Sequence, residues 1–204
     1  MMELNPIQNH QVFKEKMTDL DQIKEIVTDI DKLRTVHFAP VRELQSILDV
    51  LQSMAMVCDS HNGAGLSAVQ IGVPWKLSIV KIDKNLYRAF VNCSYKPDKR
   101  KGQFRVVEGC LSIPGKLYSV KRWAKIRLTG YEFDLNEETS EASLKKINQT
   151  INFSTEDVLS TAIQHEIDHQ NGILISDIGD ETSQAKDRSY NFKSINKHLL
   201  NLAR

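Results

Sequence analysis

Two histidines and a glutamate in residues 164–172 (QHEIDHQNG) have the types and spacing of a metal-dependent hydrolase. His165 and His169 are four residues apart, so on a helix they share one face and can offer two imidazole nitrogens to one divalent ion. Glu166 would lie beside that ion, where its carboxylate can take a proton from water and later return it. The alternative is an ordinary helix whose two buried histidines hydrogen-bond to the backbone.

A catalytic metal site needs three protein ligands and an open position, so a third ligand must come from elsewhere in the chain. In one large class of zinc proteases a third histidine follows the glycine, but Ile175 stands at that position. Cys110, in residues 108–112 (EGCLS), is the best candidate, because a thiolate binds divalent iron or zinc strongly. A small buried cysteine without a role in chemistry is the alternative.

A helix must position the two histidines, and the surrounding residues predict one. Residues 154–157 (STED) have the cap-then-acid pattern of a helix start, and Val158 and Ala162 continue the spacing toward His165 and His169. Gly172 is a natural stop, after which residues 173–175 (ILI) would return the chain to the core.

The other elements follow from apolar spacing. Apolar residues at steps of three and four after Pro40 predict a long helix that ends near residues 62–63. Five β-rich runs predict an antiparallel sheet region, and they span residues 75–82, 88–93, 104–107, 117–120 and 125–133. Residues 136–149 are polar and predict an exposed hairpin tip or insertion. Residues 1–34 form an N-terminal extension, and residues 183–204 predict a C-terminal amphipathic helix.

Composition excludes several classes of function. The chain has 204 residues, enough for one domain, with 27 Lys and Arg against 26 Asp and Glu. That balance creates no overall field for a nucleic acid or an anionic membrane, so neither DNA nor a membrane is an expected partner. Cys58, Cys93 and Cys110 cannot all pair, and the N-terminal residues lack the apolar core of a signal peptide. We therefore expect reduced thiols and a cytoplasmic protein.

Three motifs, in a fixed order, resemble those of the peptide deformylases. They are residues 63–70 (GAGLSAVQ), residues 108–112 and residues 164–172, and the resemblance covers about residues 30–180. It implies an α+β fold in which antiparallel sheets pack around a central metal-binding helix, in a single domain over residues 1–204. It also implies a hydrolase that removes the formyl group from N-formyl-methionine on new polypeptides and releases formate.

The resemblance further implies roles for individual residues. Cys110, His165 and His169 would hold Fe²⁺, for which Zn²⁺, Ni²⁺ or Co²⁺ can substitute. Glu166 would be the acid and base, and Gln70 with the backbone N–H of Leu111 would hold the oxyanion. The expected substrate-binding residues are Gly63, Gly65, Val106, Gly109, Val158 and Thr161.

The resemblance also implies that Glu108 and Arg122 form an ion pair that supports the second motif. Ser67 departs from the family pattern, because it stands at a position that is usually alanine. This departure concerns the groove around the site and leaves the expected reaction unchanged.

Two other functions compete with this one. A zinc endopeptidase would take Glu181 or Asp187 as its third ligand, but it leaves the first two motifs unexplained. A non-catalytic metal-binding or ribosome-associated protein would lack Glu166, Gln70 or Cys110, and all three are present. The Lys and Arg excess in residues 186–204 also suggests docking on the ribosome near the exit of new chains, although a solvated helix face explains it equally simply.

Overall fold

Two antiparallel sheets form the framework of the chain that the computed structural model describes, which is residues 25–42, 44–83, 86–136, 145–152 and 158–183. The first sheet has the strand order β1-β2-β3-β6-β7, and the second has the order β4-β5-β8. The strands are β1 (Gly65–Ser67), β2 (Leu77–Asp83), β3 (Leu86–Pro97), β4 (Gln103–Cys110), β5 (Ile113–Trp123), β6 (Lys125–Asn136), β7 (Lys145–Asn152) and β8 (Gly179–Thr182). This α+β arrangement agrees with the expected fold class.

Four α-helices and two short 3₁₀ helices, Ala68–Ile71 and Lys99–Lys101, accompany the sheets in the described chain, and the α-helices are numbered in chain order. They are α1 (Ile30–Arg34), α2 (Leu44–Ser60), α3 (Val158–His169) and α4 (Ile175–Ile178). Helix α2 buries Ile47, Leu51 and Met54 in a core that includes Leu66 and Ile79 of the first sheet. It therefore covers one part of that sheet.

Helix α3 has two opposite faces with different partners. Ile163 and Ile167 are buried with apolar residues of β2, β3 and β6. His165 and His169 follow each isoleucine by two residues, which is about 200° around the helix axis. The histidine pair therefore faces away from the first sheet's core, and α3 separates that core from the site.

The turn after α3 ends the helix as the glycine predicts. Gly172 has a φ of 71°, a conformation that favours glycine. Its N–H donates to the carbonyl of His169 at 3.0 Å, and the N–H of Ile173 donates to the carbonyl of Asp168 at 2.9 Å, which is the Schellman pattern. Leu174 and Ile175 then return to the core.

Several predicted boundaries are wrong. Helix α2 begins at Leu44, because residues 41–42 form a turn after Pro40. Strands β3, β4, β5 and β6 extend beyond the predicted runs, whereas β2 begins at Leu77, two residues after its predicted start. The exposed hairpin tip or insertion predicted over residues 136–149 is too long, because β7 begins at Lys145 and pairs with β6.

Other predictions lie outside the described residues. They concern the helix start at residues 154–157, the first twenty-four residues, and the C-terminal helix beyond residue 183. Among the described residues, no helix combines the length and apolar character needed to cross a membrane.

Candidate metal centre

Three side chains from two elements converge on one point. Cys110 ends β4 and the histidines project from α3, and each of the three offers a donor atom within 4.8 Å of the others. The sulfur of Cys110 lies 3.3 Å from Nε2 of His169. An ion that binds nitrogen at about 2.0 Å and sulfur at about 2.3 Å in tetrahedral geometry needs donors roughly 3.5 Å apart. The three residues therefore fit a divalent metal ion.

Burial and hydrogen bonds act differently on the two histidines. Nδ1 of His165 lies 3.0 Å from Oε2 of Glu108, which leaves Nε2 for a metal. Burial lowers the pKa of His169 well below its usual value and so favours the neutral ring that binds metals. Burial also disfavours charge on His165, but its hydrogen bonds with Cys110 and Glu108 outweigh burial and raise its pKa.

A buried guanidinium links the two ligand-bearing elements. Arg122 on β5 is 1% exposed, and it donates to both carboxylate oxygens of Glu108 at 2.7 and 2.6 Å and to Asp168 on α3. This confirms the expected ion pair between Glu108 and Arg122. Burial alone would raise the pKa of Glu108, but Arg122 and His165 lower it to about 2. Glu108 is therefore an ionised acceptor for the His165 ring.

Glu166 is a buried carboxylic acid beside the donor cluster. Its side chain lies against Gly65, and its Oε2 accepts a hydrogen bond from Ser67 Oγ at 2.9 Å. Burial raises its pKa to about 7, even though the charge of His165 and the Ser67 hydroxyl act in the opposite direction. A carboxyl group with a pKa near neutrality is suited both to accept and to return a proton.

Gln70 presents an amide donor to the same cluster. Its Oε1 accepts the backbone N–H of Ser67 at 2.8 Å, which fixes the orientation of the amide. Its Nε2 therefore points toward Ser112 Oγ at 3.2 Å and the sulfur of Cys110 at 3.6 Å. Leu111 follows Cys110 in the turn between β4 and β5, which places its backbone beside the cluster.

A family model described as polypeptide deformylase matches residues 23–185. The chain belongs to the polypeptide deformylase family. The peptide deformylase of Syntrophomonas wolfei is 36% identical over 146 residues, which are 70% of this chain and 84% of that protein. The peptide deformylase of Carboxydothermus hydrogenoformans is 33% identical over 144 residues, which are 69% of this chain and 83% of that protein.

Solved structures of deformylases share the fold. A peptide deformylase from Legionella pneumophila superposes with a TM-score of 0.61 at 26% identity, covering 90% of this chain and 99% of that one. A peptide deformylase from Synechococcus elongatus, solved in complex with actinonin, gives a TM-score of 0.59 at 21% identity over 87% of this chain and 83% of that one. Peptide deformylases are metalloenzymes that remove the formyl group from new polypeptides, so this family member is a hydrolase of that kind.

Two glycines of the expected deformylase pocket lie at the site. A side-chain carbon at Gly65 would lie 2.8 Å from Oε1 of Glu166, and one at Gly63 would lie 3.2 Å from the Leu111 side chain. The nearest atom to such a carbon at Gly63 is the sulfur of Cys58, at 2.9 Å, so a side chain at either glycine would force a neighbouring atom to shift. Thr161 is half-buried, one turn before His165 on the same face of α3.

Three other residues were expected in the substrate pocket, and they differ in which of their groups can face the site. Val106 is buried and, by strand alternation, shares a side of β4 with Glu108. A side chain at Gly109 would face Leu117 on the other side of the strand, so only its backbone can face the site. The backbone of Val158 begins α3, and its side chain lies outside the described part of the chain.

The structure adds site residues that the sequence analysis missed. Asp168 binds Arg122 and accepts the Tyr95 hydroxyl at 2.8 Å, and its position three residues after His165 was an available signal. Ser67 was noted only as a departure from the family pattern. Alternation along β1 places Ser67 on the same side as Gly65, and both face Glu166.

The endopeptidase alternative loses one of its two ligand candidates. Glu181 lies on β8 and binds Lys116 at 2.9 Å, and it is absent from the one described group of donors that could hold a metal. Asp187 lies outside the described residues. Cys110 lies where an endopeptidase would need a carboxylate as its third metal ligand.

Proposed function

We propose that this deformylase removes formate from N-formyl-methionyl peptides with Cys110, His165 and His169 as its metal ligands. The observation that carries the proposal is the convergence of these three donors beside a buried carboxylic acid. A histidine pair alone occurs in many hydrolases. The thiolate as third ligand, with an amide donor beside it, favours an acyl-transfer site of the deformylase type.

The protein's own groups would divide the chemistry among them. A divalent ion held by the three ligands would polarise the formyl carbonyl and ease the deprotonation of water. Glu166 takes the proton of the attacking water and delivers it to the leaving nitrogen, which its pKa of about 7 permits in both directions. Gln70 Nε2–H and the Leu111 N–H donate to the oxygen on which negative charge develops.

The methionine side chain would lie beside the donor cluster. We assign its surroundings to the small or apolar residues Gly63, Gly65, Val106, Val158 and Thr161, with Gly109 contributing its backbone. The close approach of Gly65 to Glu166 supports this assignment, because a residue without a side chain lets β1 lie directly against the acid.

We assign Fe²⁺ as the physiological ion, with Zn²⁺, Ni²⁺ or Co²⁺ as substitutes. The mixed sulfur and nitrogen donor set suits all four ions. A thiolate and ferrous ion are both oxidised by oxygen, so the iron enzyme should lose activity in air and the nickel enzyme should keep it.

The remaining assignments concern the whole chain. We propose one catalytic domain over residues 1–204 that acts in the cytoplasm, with α3 as its central metal-binding helix. Docking on the ribosome through residues 186–204 is an additional hypothesis, motivated by their Lys and Arg excess. Co-sedimentation with ribosomes that weakens as salt rises would support it, and absence of co-sedimentation at low salt would dismiss it.

The decisive experiment compares two peptides of one sequence with anaerobic ferrous enzyme. One peptide carries N-formyl-methionine and the other a free amine. The proposed enzyme releases formate from the first and leaves the internal bonds of both intact. Internal cleavage without formate release would support an endopeptidase, and inactivity with metal bound would support a binding protein.

Two variants separate the ligands from the acid. Cys110→Ala should lose tight metal binding, because two histidines form a weak chelate. Glu166→Ala should keep one equivalent of metal and lose most turnover. Metal analysis beside the formate assay distinguishes these outcomes, and a full complement of metal in Cys110→Ala would remove that residue from the ligand set.

A further inference from the structure

Two buried serines from adjacent strands lie against Glu166. Ser67 on β1 and Ser78 on β2 are directly paired across the first sheet, and their hydroxyl oxygens are 2.8 Å apart. Ser67 Oγ is also 2.9 Å from Oε2 of Glu166, and both hydroxyls are 3.0 Å from the Glu166 carbonyl. The hydroxyl protons of Ser67 and Ser78 therefore each have more than one possible acceptor.

The amide of Gln170 determines where these protons go. Its Oε1 accepts the backbone N–H of Cys93 at 2.9 Å, and its Nε2 donates to the carbonyl of Phe90 at 3.0 Å. These two contacts fix which end of the amide is the donor. Its second amide proton must therefore be donated to Ser78 Oγ, which lies 2.9 Å away.

The direction of donation then continues to the carboxylate. The carbonyl of Glu166 already accepts a hydrogen bond from the backbone N–H of Gln170 at 3.2 Å, so it is satisfied without the Ser78 hydroxyl proton. Ser78 can donate to Ser67, and Ser67 in turn donates to Oε2 of Glu166. An ionised carboxylate favours this arrangement, because hydrogen bonds to a charged acceptor are the stronger ones.

We propose that Ser67 is a positioning residue for Glu166, at the end of a donor chain that runs from Gln170 through Ser78 to Oε2 of the carboxylate. The chain holds Oε2 and leaves Oε1, the oxygen beside Gly65, for proton transfer. This inference rests on the proposed role of Glu166 as acid and base. It makes the serine at position 67 part of how this enzyme orients its acid.

Ser67 contacts two residues of the proposed mechanism, Gln70 and Glu166, through different atoms. Its backbone N–H orients Gln70, and its hydroxyl orients Glu166. Ser67→Ala removes only the second contact, since an alanine keeps the N–H. The variant therefore tests the orientation of Glu166 with the Gln70 contact intact.

Steady-state formate release measures the effect. Ser67→Ala should keep its metal and its KM and lower kcat by roughly tenfold or more, the size of one hydrogen bond to a charged group. Ser67→Cys, similar in size but a weak donor, should resemble Ser67→Ala, while Ser67→Thr should restore much of the rate. Ser94→Ala, which removes a strand hydroxyl paired with Thr129 far from the acid, is the control and should match the parent enzyme.

A double-variant cycle distinguishes positioning from a general loss of structure. In a Glu166→Ala background, Ser67→Ala should not lower the residual kcat further, because the group that it orients is gone. The same additional loss in both backgrounds, a parental kcat in Ser67→Ala, or a change confined to KM would each overturn the inference. If Glu166→Ala itself retains full turnover, the proposed function fails instead, so the two failures are distinguishable.

Discussion

Gly65→Ala should impair catalysis without displacing the metal. The new methyl group would lie 2.8 Å from Oε1 and 2.9 Å from Cγ of Glu166, and 2.9 Å from the carbonyl oxygen of Ile79. The Ile79 carbonyl belongs to the strand that pairs with β1, so it cannot retreat without disturbing the sheet. The Glu166 side chain is the part that can move, and it would be pushed away from the donor cluster.

The size of the loss follows from the size of the displacement. Relieving the closest contact from 2.8 Å to the 3.4 Å of ordinary packing requires Glu166 to move by about 0.6 Å. Since a misplacement of about 1 Å can cost a factor of about 100 in rate, we expect kcat to fall roughly 10- to 100-fold. Overpacking against the sheet should also lower the free energy of unfolding by about 1–3 kcal/mol.

Formate release, metal content and thermal unfolding, measured on the same preparation, test this reasoning. Gly109→Ala is the control for stability, because its new methyl group would meet Leu117 at an ordinary 3.5 Å and should change the free energy of unfolding little. A Gly65→Ala enzyme with parental kcat would show that Glu166 does not need its observed position. Loss of metal from that variant would place the damage at the ligands instead.

Three further outcomes are expected. Arg122→Met should lower the free energy of unfolding by about 3–5 kcal/mol, because it leaves buried carboxylates without their cation, and thermal unfolding would reveal the change. Burial raises the pKa of Cys58 and of Cys93 to about 12, so thiol reagents at neutral pH should not modify either residue in the native enzyme. Cys110 should be modified only after the metal is removed, and peptide mapping would show which cysteine reacts. Gln70→Ala should leave KM nearly unchanged and lower kcat by about 10²–10³-fold in the formate assay, and a parental kcat would give Gln70 a structural role.

Local patterns predicted the parts of the site that lie within one element. The helix that carries His165 and His169 follows from its spacing and from Gly172, which the structure confirms as the stop. The antiparallel character of residues 75–133 also follows from short apolar runs. The start of β5 was missed, because Pro114, Gly115 and Lys116 are exposed and have the residue types of a turn.

Contacts between distant elements were the parts that spacing could not predict. The five-residue pattern around His165 does not predict which residues of β5 lie beside it. Arg122 on β5 contacts Asp168, which is 46 positions away in the sequence. The contact of Ser67 with Glu166 spans 99 positions and depends on how β1 lies against α3. Family resemblance supplied the pairing of Glu108 with Arg122, but it did not supply the contact of Ser67 with Glu166.

The site lies between two sheets because its ligands come from α3, which packs on the first sheet, and from β4 of the second sheet. Helix α3 is anchored by Ile163 and Ile167 in the first sheet's core, while Cys110 belongs to β4 of the second sheet. Side-chain contacts between these elements constrain the distance between the sulfur and the imidazoles. Gln164 of α3 binds the backbone of Trp123 on β5 through both ends of its amide. Arg122 adds a second link, because it binds Glu108 beside the cysteine and Asp168 between the histidines at the same time. A buried ion pair is weak support for overall stability, but here it fixes the relative position of the two ligand-bearing elements, and that position is what a three-ligand metal site requires.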